Sequence, residues 1–219
     1  MALNNPLTYH EEELRIARSP NDLRRIMPPA LPSDSRVLDI GCGAGQTLLA
    51  AYPDRLSFGL DLDIDALRLG RTWSDRISFA GGTAESLPYA AAWFDIVIAR
   101  VCLPLTDLGR SLAEAERVLR PGGRLWITLH DISIPLAAAK RGNLNSWIFF
   151  GYIVVNSLLF HFCQRLFHLP GKGYESFQTN YGMKRALQKL GFEDISIDRT
   201  PPHFLLTAVK PAAGVRQMN

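Results

Sequence analysis

The stretch Arg36-Val37-Leu38-Asp39-Ile40-Gly41-Cys42-Gly43-Ala44-Gly45-Gln46 constrains this chain more than any other. An apolar run too short for a helix meets three glycines in alternate positions, and helix-compatible residues follow. That order reads as a buried parallel strand, a tight turn and a helix start. Glycine suits the turn because it reaches positive φ and lets a ligand approach the backbone. The helix behind it presents unpaired N–H groups and the positive end of its dipole. Such a turn holds a nucleotide-like or carboxylate-bearing cofactor.

The residues that follow keep one rhythm. Short apolar strands are predicted at 56–61, 77–80, 94–99 and 125–129, alternating with helices near 45–52, 64–73 and 107–119. The last of these helices spaces Leu108, Leu112, Ala115 and Leu119 on one face, and Pro121-Gly122-Gly123 stops it. Strands alternating with helices specify a parallel sheet covered on both faces. A helix at 179–190 and strands at 192–199 and 204–210 then close the sheet, the last as an antiparallel edge strand. The expected fold is α/β: a seven-stranded, mostly parallel sheet with helices on both faces and an antiparallel last strand.

Asp61 stands 20 positions after Gly41, at the tip of the second predicted strand. A carboxylate there can accept hydrogen bonds from two ribose hydroxyls. Asp63 and Asp65 suit the cap and first turn of the next helix. A nicotinamide-binding turn spaces its glycines GxGxxG, whereas Gln46 fills the final position here. Asp39, two residues ahead of the glycines, suits a cofactor with a cationic amino group better than one with a pyrophosphate.

The 219 residues fit one domain. It divides into an N-terminal helical segment at 1–35, a cofactor-binding core at 36–130, an apolar insertion at 131–178 and a closing helix and strand pair at 179–210. In the first segment, Ser19-Pro20-Asn21-Asp22 predicts a helix start, with Leu23, Ile26 and Met27 as its apolar face. It reads either as an edge helix or as a flap over the cofactor reached by Tyr9 or Arg15. The net charge of +3 does not argue for nucleic acid. Cys42, Cys102 and Cys163 lack CxxC spacing, so no metal site or disulfide framework is expected. Together with the lack of an N-terminal apolar signal segment, they suit a reducing cytoplasm.

Five segments in order resemble the class I S-adenosylmethionine-dependent methyltransferases, in the small-molecule group that includes the ubiquinone and menaquinone enzymes. They are 37–45, Gly59-Leu60-Asp61, Glu85-Ser86-Leu87-Pro88, Trp93-Phe94-Asp95-Ile96-Val97 and Leu119-Arg120-Pro121-Gly122-Gly123. The resemblance implies a Rossmann-like fold, S-adenosylmethionine as cofactor and methyl transfer as activity. Gly41, Gly43 and Gly45 would form the cofactor turn, the first two against the methionine part. Asp39 would support the turn or reach the amino group. Asp61 would hold the ribose, Leu62 would lie against adenine, and Thr83 and Ala84 would sit at the adenine edge. Arg100 would lie beside the methionine moiety or the substrate. Many relatives carry Asp where this chain has Thr83, which accepts a hydrogen bond without charge assistance.

Methyl transfer is an in-line displacement governed by alignment and exclusion of water. His130 and Asp131 follow the fifth strand at the cofactor end of the sheet and are the candidate bases; loop capping or a salt bridge is their alternative. Cys102-Leu103-Pro104 lacks the Pro-Cys order of a cytosine-C5 nucleophile, and Ala99-Arg100-Val101-Cys102 replaces the Asn/Asp-Pro-Pro-aromatic motif of nucleic-acid amino methylation. A nucleic-acid substrate is therefore not expected, and the apolar insertion implies a hydrophobic small molecule instead. Residues 142–164 contain no Asp, Glu, Lys or Arg, which reaches membrane-spanning length. Spanning would part the closing elements from their sheet, so 147–160 reads as a pocket lid or as a peripheral membrane contact.

Overall fold

The computed structural model describes residues 6–129, 131–199 and 204–212. Its seven strands are β1 Val37–Ile40, β2 Ser57–Asp61, β3 Ile77–Gly81, β4 Phe94–Arg100, β5 Leu119–Leu129, β6 Glu193–Asp198 and β7 Phe204–Val209. They form one sheet in the order β3-β2-β1-β4-β5-β7-β6. The first five are parallel, and β7 runs antiparallel to both β5 and β6. The order of pairing reverses beside β1, which starts the halves β1-β2-β3 and β4-β5. Ligands of open α/β sheets bind at that switch, beyond the carboxyl ends of the strands.

Among the described residues seven α-helices join them: α1 Pro6–Arg18, α2 Gln46–Ala51, α3 Ile64–Trp73, α4 Leu108–Val118, α5 Ser133–Arg141, α6 Leu144–Cys163 and α7 Asn180–Lys189. The starts follow side-chain chemistry. Asp63 accepts from the Asp65 and Ala66 N–H groups, Asp107 from that of Arg110, and Thr179 from that of Gly182. Alternation along β4 sends Val97 and Ala99 into one core with Leu38, Leu125 and Ile127, and Ile96 and Ile98 into the other with Val37, Leu48 and Trp126. Both faces of the sheet are thus sealed, which is why its central strands are apolar throughout.

Three departures from the sequence reading have physical causes. The helix expected after Ser19 is absent, and α1 ends at Arg18 instead. Asp22 takes the backbone N–H and guanidinium of Arg24, and Leu23 is 95% exposed, so the expected apolar face has nothing to bury against. The antiparallel strand β7 is not the edge. It buries Phe204, Leu206 and Ala208 and lies inside β6, whose Glu193 and Asp194 are exposed. Charged residues suit an edge strand, where they discourage further pairing. Finally, a helix, α5, stands at 133–141 where the sequence showed no clear period.

Candidate active site

The glycine turn lies where the sequence placed it, and its hydrogen bonds show why it is rigid. Gly41 and Cys42 N–H both donate to the Leu60 carbonyl, at 2.7 and 3.1 Å, which pins the turn to the end of β2. Gly41 adopts φ 70° and approaches β4 so closely that a Cβ there would meet Cys102 Cβ at 2.4 Å. No other residue fits that position. Gly43, at φ 55°, lies against His10 and Gln46. Gly45 faces away from the cavity: a Cβ on it would press on Ile77 and Phe79, so its task is packing α2 against β3.

Asp61 has a second role that spacing alone did not reveal. One carboxylate oxygen accepts from Gly43 N–H at 2.7 Å, and the other accepts from Asp63 N–H at 2.9 Å. The side chain staples the glycine turn to β2 while each oxygen keeps a further lone pair for a ligand. Beside it Leu62 is 70% exposed, an apolar side chain left in solvent at the mouth of the sheet. Gly82 N–H donates to the Asp61 carbonyl and holds the loop of Thr83 and Ala84 next to it. Thr83 is exposed and Ala84 buried.

Asp39 is almost wholly buried in β1, and its Oδ1 has no hydrogen-bond partner. Burial pushes its carboxyl up to about 7, with Arg100 opposing and Asp61 adding to the rise. The Cys102 thiol donates to the Ile40 carbonyl at 3.0 Å, and burial pushes it up too. A thiol held in this way packs and does not attack.

A cavity of about 70 Å³ lies over the turn. Gly41 and Gly43 form its floor, Arg100 closes one side, and Tyr9, His10 and Glu13 of α1 form its roof. Glu13 pairs with Arg100, and Gln46 Nε2 donates to His10 Nδ1 at 2.7 Å. Tyr9 is held protonated, raised first by burial and then by the Glu13 charge. Arg15, the other flap candidate, turns away to Glu12 and Asp22. No local pattern marks His10 or Glu13, because three consecutive glutamates look like a solvated helix face.

Asp131, a candidate base, does not line this cavity. Its Oδ1 accepts from Ser133 N–H at 2.8 Å and its Oδ2 pairs with Arg199 at 2.9 Å. The loop-capping and salt-bridge alternative describes it. His130 lies outside the described residues.

Residues 38–127 match the family model described as a methyltransferase domain. Over that stretch the chain is similar to a methyltransferase domain. Over 101 residues it is 36% identical to a malonyl-(acyl-carrier protein) O-methyltransferase of Methylococcus capsulatus, covering 43% of this chain and 37% of that one. Over 131 residues it is 33% identical to a demethylmenaquinone methyltransferase of Roseiflexus castenholzii, 57% of this chain and 53% of that one. The chain spans about half the length, or less, of these curated relatives. A SAM-dependent methyltransferase of Thermotoga maritima superposes with a TM-score of 0.57 at 17% identity, over 93% of this chain and 96% of its own. The CMeT domain of the citrinin polyketide synthase does so at 0.60 and 18% identity, over 96% of this chain and 58% of its own. At such identities the likeness is one of fold, and the fold of the methyltransferase domain is that of the S-adenosylmethionine-dependent enzymes.

Proposed function

We propose that this methyltransferase domain transfers a methyl group from S-adenosylmethionine to a hydrophobic small molecule. The observation that carries the reading is the pair of acidic residues framing one glycine turn. Asp61 offers spare lone pairs at the end of β2, and Asp39 holds an orphaned oxygen beneath the turn. A ribose diol satisfies the first, and a cationic amino group satisfies the second. Exposed Leu62 then covers adenine, with Thr83 and Ala84 at its edge. The residues present therefore fit this cofactor.

When bound, the cofactor supplies an electrophilic methyl on a cationic sulfur, which leaves with the bonding pair as the acceptor attacks. The chain's own part is to fix that geometry and exclude water. Gly41 and Gly43 allow close approach, and α1 covers the site. Arg100 is engaged by Glu13 and holds the roof in place. The relatives named above act, by name, on malonyl-(acyl-carrier protein) and on demethylmenaquinone. A third acts on phthiotriol dimycocerosates. A cavity of about 230 Å³ between α5 and α6, where Pro135, Phe149, Phe150 and Ile153 face Lys172 and Glu175, offers an apolar wall for part of a hydrophobic acceptor.

Two experiments test the reading. Incubation with methyl-labelled cofactor and a cell lipid extract is expected to place label in the apolar fraction. Tight cofactor binding without any transfer would favour a binding protein, and thermal stabilisation by NAD but not by S-adenosylhomocysteine would favour an oxidoreductase. The second concerns α1. The roofed cavity is far below the roughly 300 Å³ of the smaller ligand pockets, so α1 has to open. Glu13→Gln weakens its latch and is expected to speed cofactor association about threefold in stopped-flow measurements. An unchanged rate would mean that α1 is not the gate.

A further inference from the structure

Helix α6 is built inside out. Its mid-helix polar residues face the protein: Asn156 donates to Tyr152 Oη and to the Phe167 carbonyl and accepts from Phe167 N–H, while Ser157 accepts from Phe177 N–H. Ile153 and Phe160 are buried beside them. The opposite arc carries Leu144, Trp147, Ile148, Val155, Leu158 and Phe162, each between 46% and 75% exposed. At 100° per residue these positions, with Gly151, fall within an arc of about 100° that contains no polar side chain. The stripe runs the whole helix, about 30 Å. A helix on a water-facing surface shows the reverse pattern.

Charge is segregated to the same region. Residues 132–192 hold seven lysines and arginines against the single acid Glu175, although the whole chain is only +3, so the remainder is net negative. Lys140 and Arg141 stand at one end of α6 and Arg165 at the other, all exposed. Phe167, in the segment that folds back along α6 onto Asn156, is also 66% exposed.

We infer that the outward face of α6 lies on an anionic lipid bilayer, with the helix axis in the plane of the interface and its flanking cations among the headgroups. An apolar stripe bounded by cations matches a membrane surface, whose acyl boundary and anionic headgroups offer both partners at the right depth. Alone among the described residues, α6 has the length and apolarity to span a membrane. Spanning would strip Asn156 and Ser157 of their partners, so the helix lies flat. The inference does not depend on methyl transfer, because no cofactor enters its test.

The full chain is sedimented with phosphatidylcholine vesicles, with and without phosphatidylglycerol. Wild type is expected to pellet with the mixed vesicles. Ile148→Ser/Val155→Ser/Leu158→Ser, all at exposed positions, is expected to lower partitioning at least about tenfold. Lys140→Gln/Arg141→Gln/Arg165→Gln is expected to erase the preference for phosphatidylglycerol, at about fivefold per cation. Unchanged circular dichroism and thermal midpoint confine both effects to the surface. Equal pelleting of wild type and the serine variant overturns the inference, as does wild type that stays in solution. Self-association that the serine variant abolishes, without vesicle binding, assigns the face to a second copy and overturns it too. Resistance to alkaline carbonate extraction would make the helix a span and overturn the flat orientation.

Discussion

Replacing Asp61 by alanine lowers the affinity for S-adenosylhomocysteine about a hundredfold, because two charge-assisted hydrogen bonds to the ribose are lost at roughly 1.5 kcal/mol each. Isothermal titration calorimetry checks it. The substitution also removes the acceptor of Gly43 N–H, so part of the loss could come from a loosened turn. Asp61→Asn separates the two. Asparagine gives up the Asp63 N–H bond but keeps its carbonyl oxygen for the Gly43 N–H and offers the ribose a weaker acceptor, so the turn persists while affinity still falls about tenfold. Affinity within about twofold of wild type for the alanine variant would reduce Asp61 to a structural staple.

The second large effect is on stability, and it reverses the usual expectation for an acidic residue. Asp39 has its carboxyl pushed up to about 7, chiefly by burial. An unfolded aspartate titrates near 3.9, so between about pH 4 and pH 7 the folded chain holds a proton that the unfolded chain has lost. The stabilisation is complete below about pH 4, falls as pH rises to about 7 and is flat above; the span is on the order of 4 kcal/mol. Asp39→Asn removes the titrating group. The variant is therefore expected to exceed wild type in urea-denaturation stability by several kcal/mol at pH 8 and by much less at pH 5. Equal differences at both pH values would mean that Asp39 ionises normally in the fold. The same variant is expected to bind the cofactor at least about tenfold more weakly, since a neutral amide does not balance an ammonium group. Binding by wild type near pH 6 should release a proton, visible as a buffer-dependent enthalpy. Stability gained and affinity lost at one position is the trade expected where a strained group is kept for a ligand.

The glycine turn, the five parallel strands and Asp61 were legible because their signals are local. A short apolar run, glycines at fixed offsets and a carboxylate at the next strand end each depend on residues within one βαβ unit. The same locality made Asp63, Asp107 and Thr179 legible as helix starts, since a cap reaches only two or three residues forward. Asp131 was readable in kind but not in role: a carboxylate after the fifth strand suits a base or a cap equally, and Arg199, 68 positions away, selects the cap.

Three features were decided by tertiary structure alone. Whether 6–18 or 19–27 forms the first helix depended on what each could bury, and the partners of α1 lie on α2, α3 and β4. The place of β7 inside β6 depended on which strand could bury a whole face. The direction in which α6 points its apolar residues depended on Asn156 and Ser157 finding inward partners at 167 and 177. By itself, the sequence determined that this chain winds a sheet around a cofactor turn framed by Asp39 and Asp61. Only the assembled fold decided what roofs that turn and which face of the apolar helix meets the outside. Both rest on contacts between residues far apart in the chain, which no local period records.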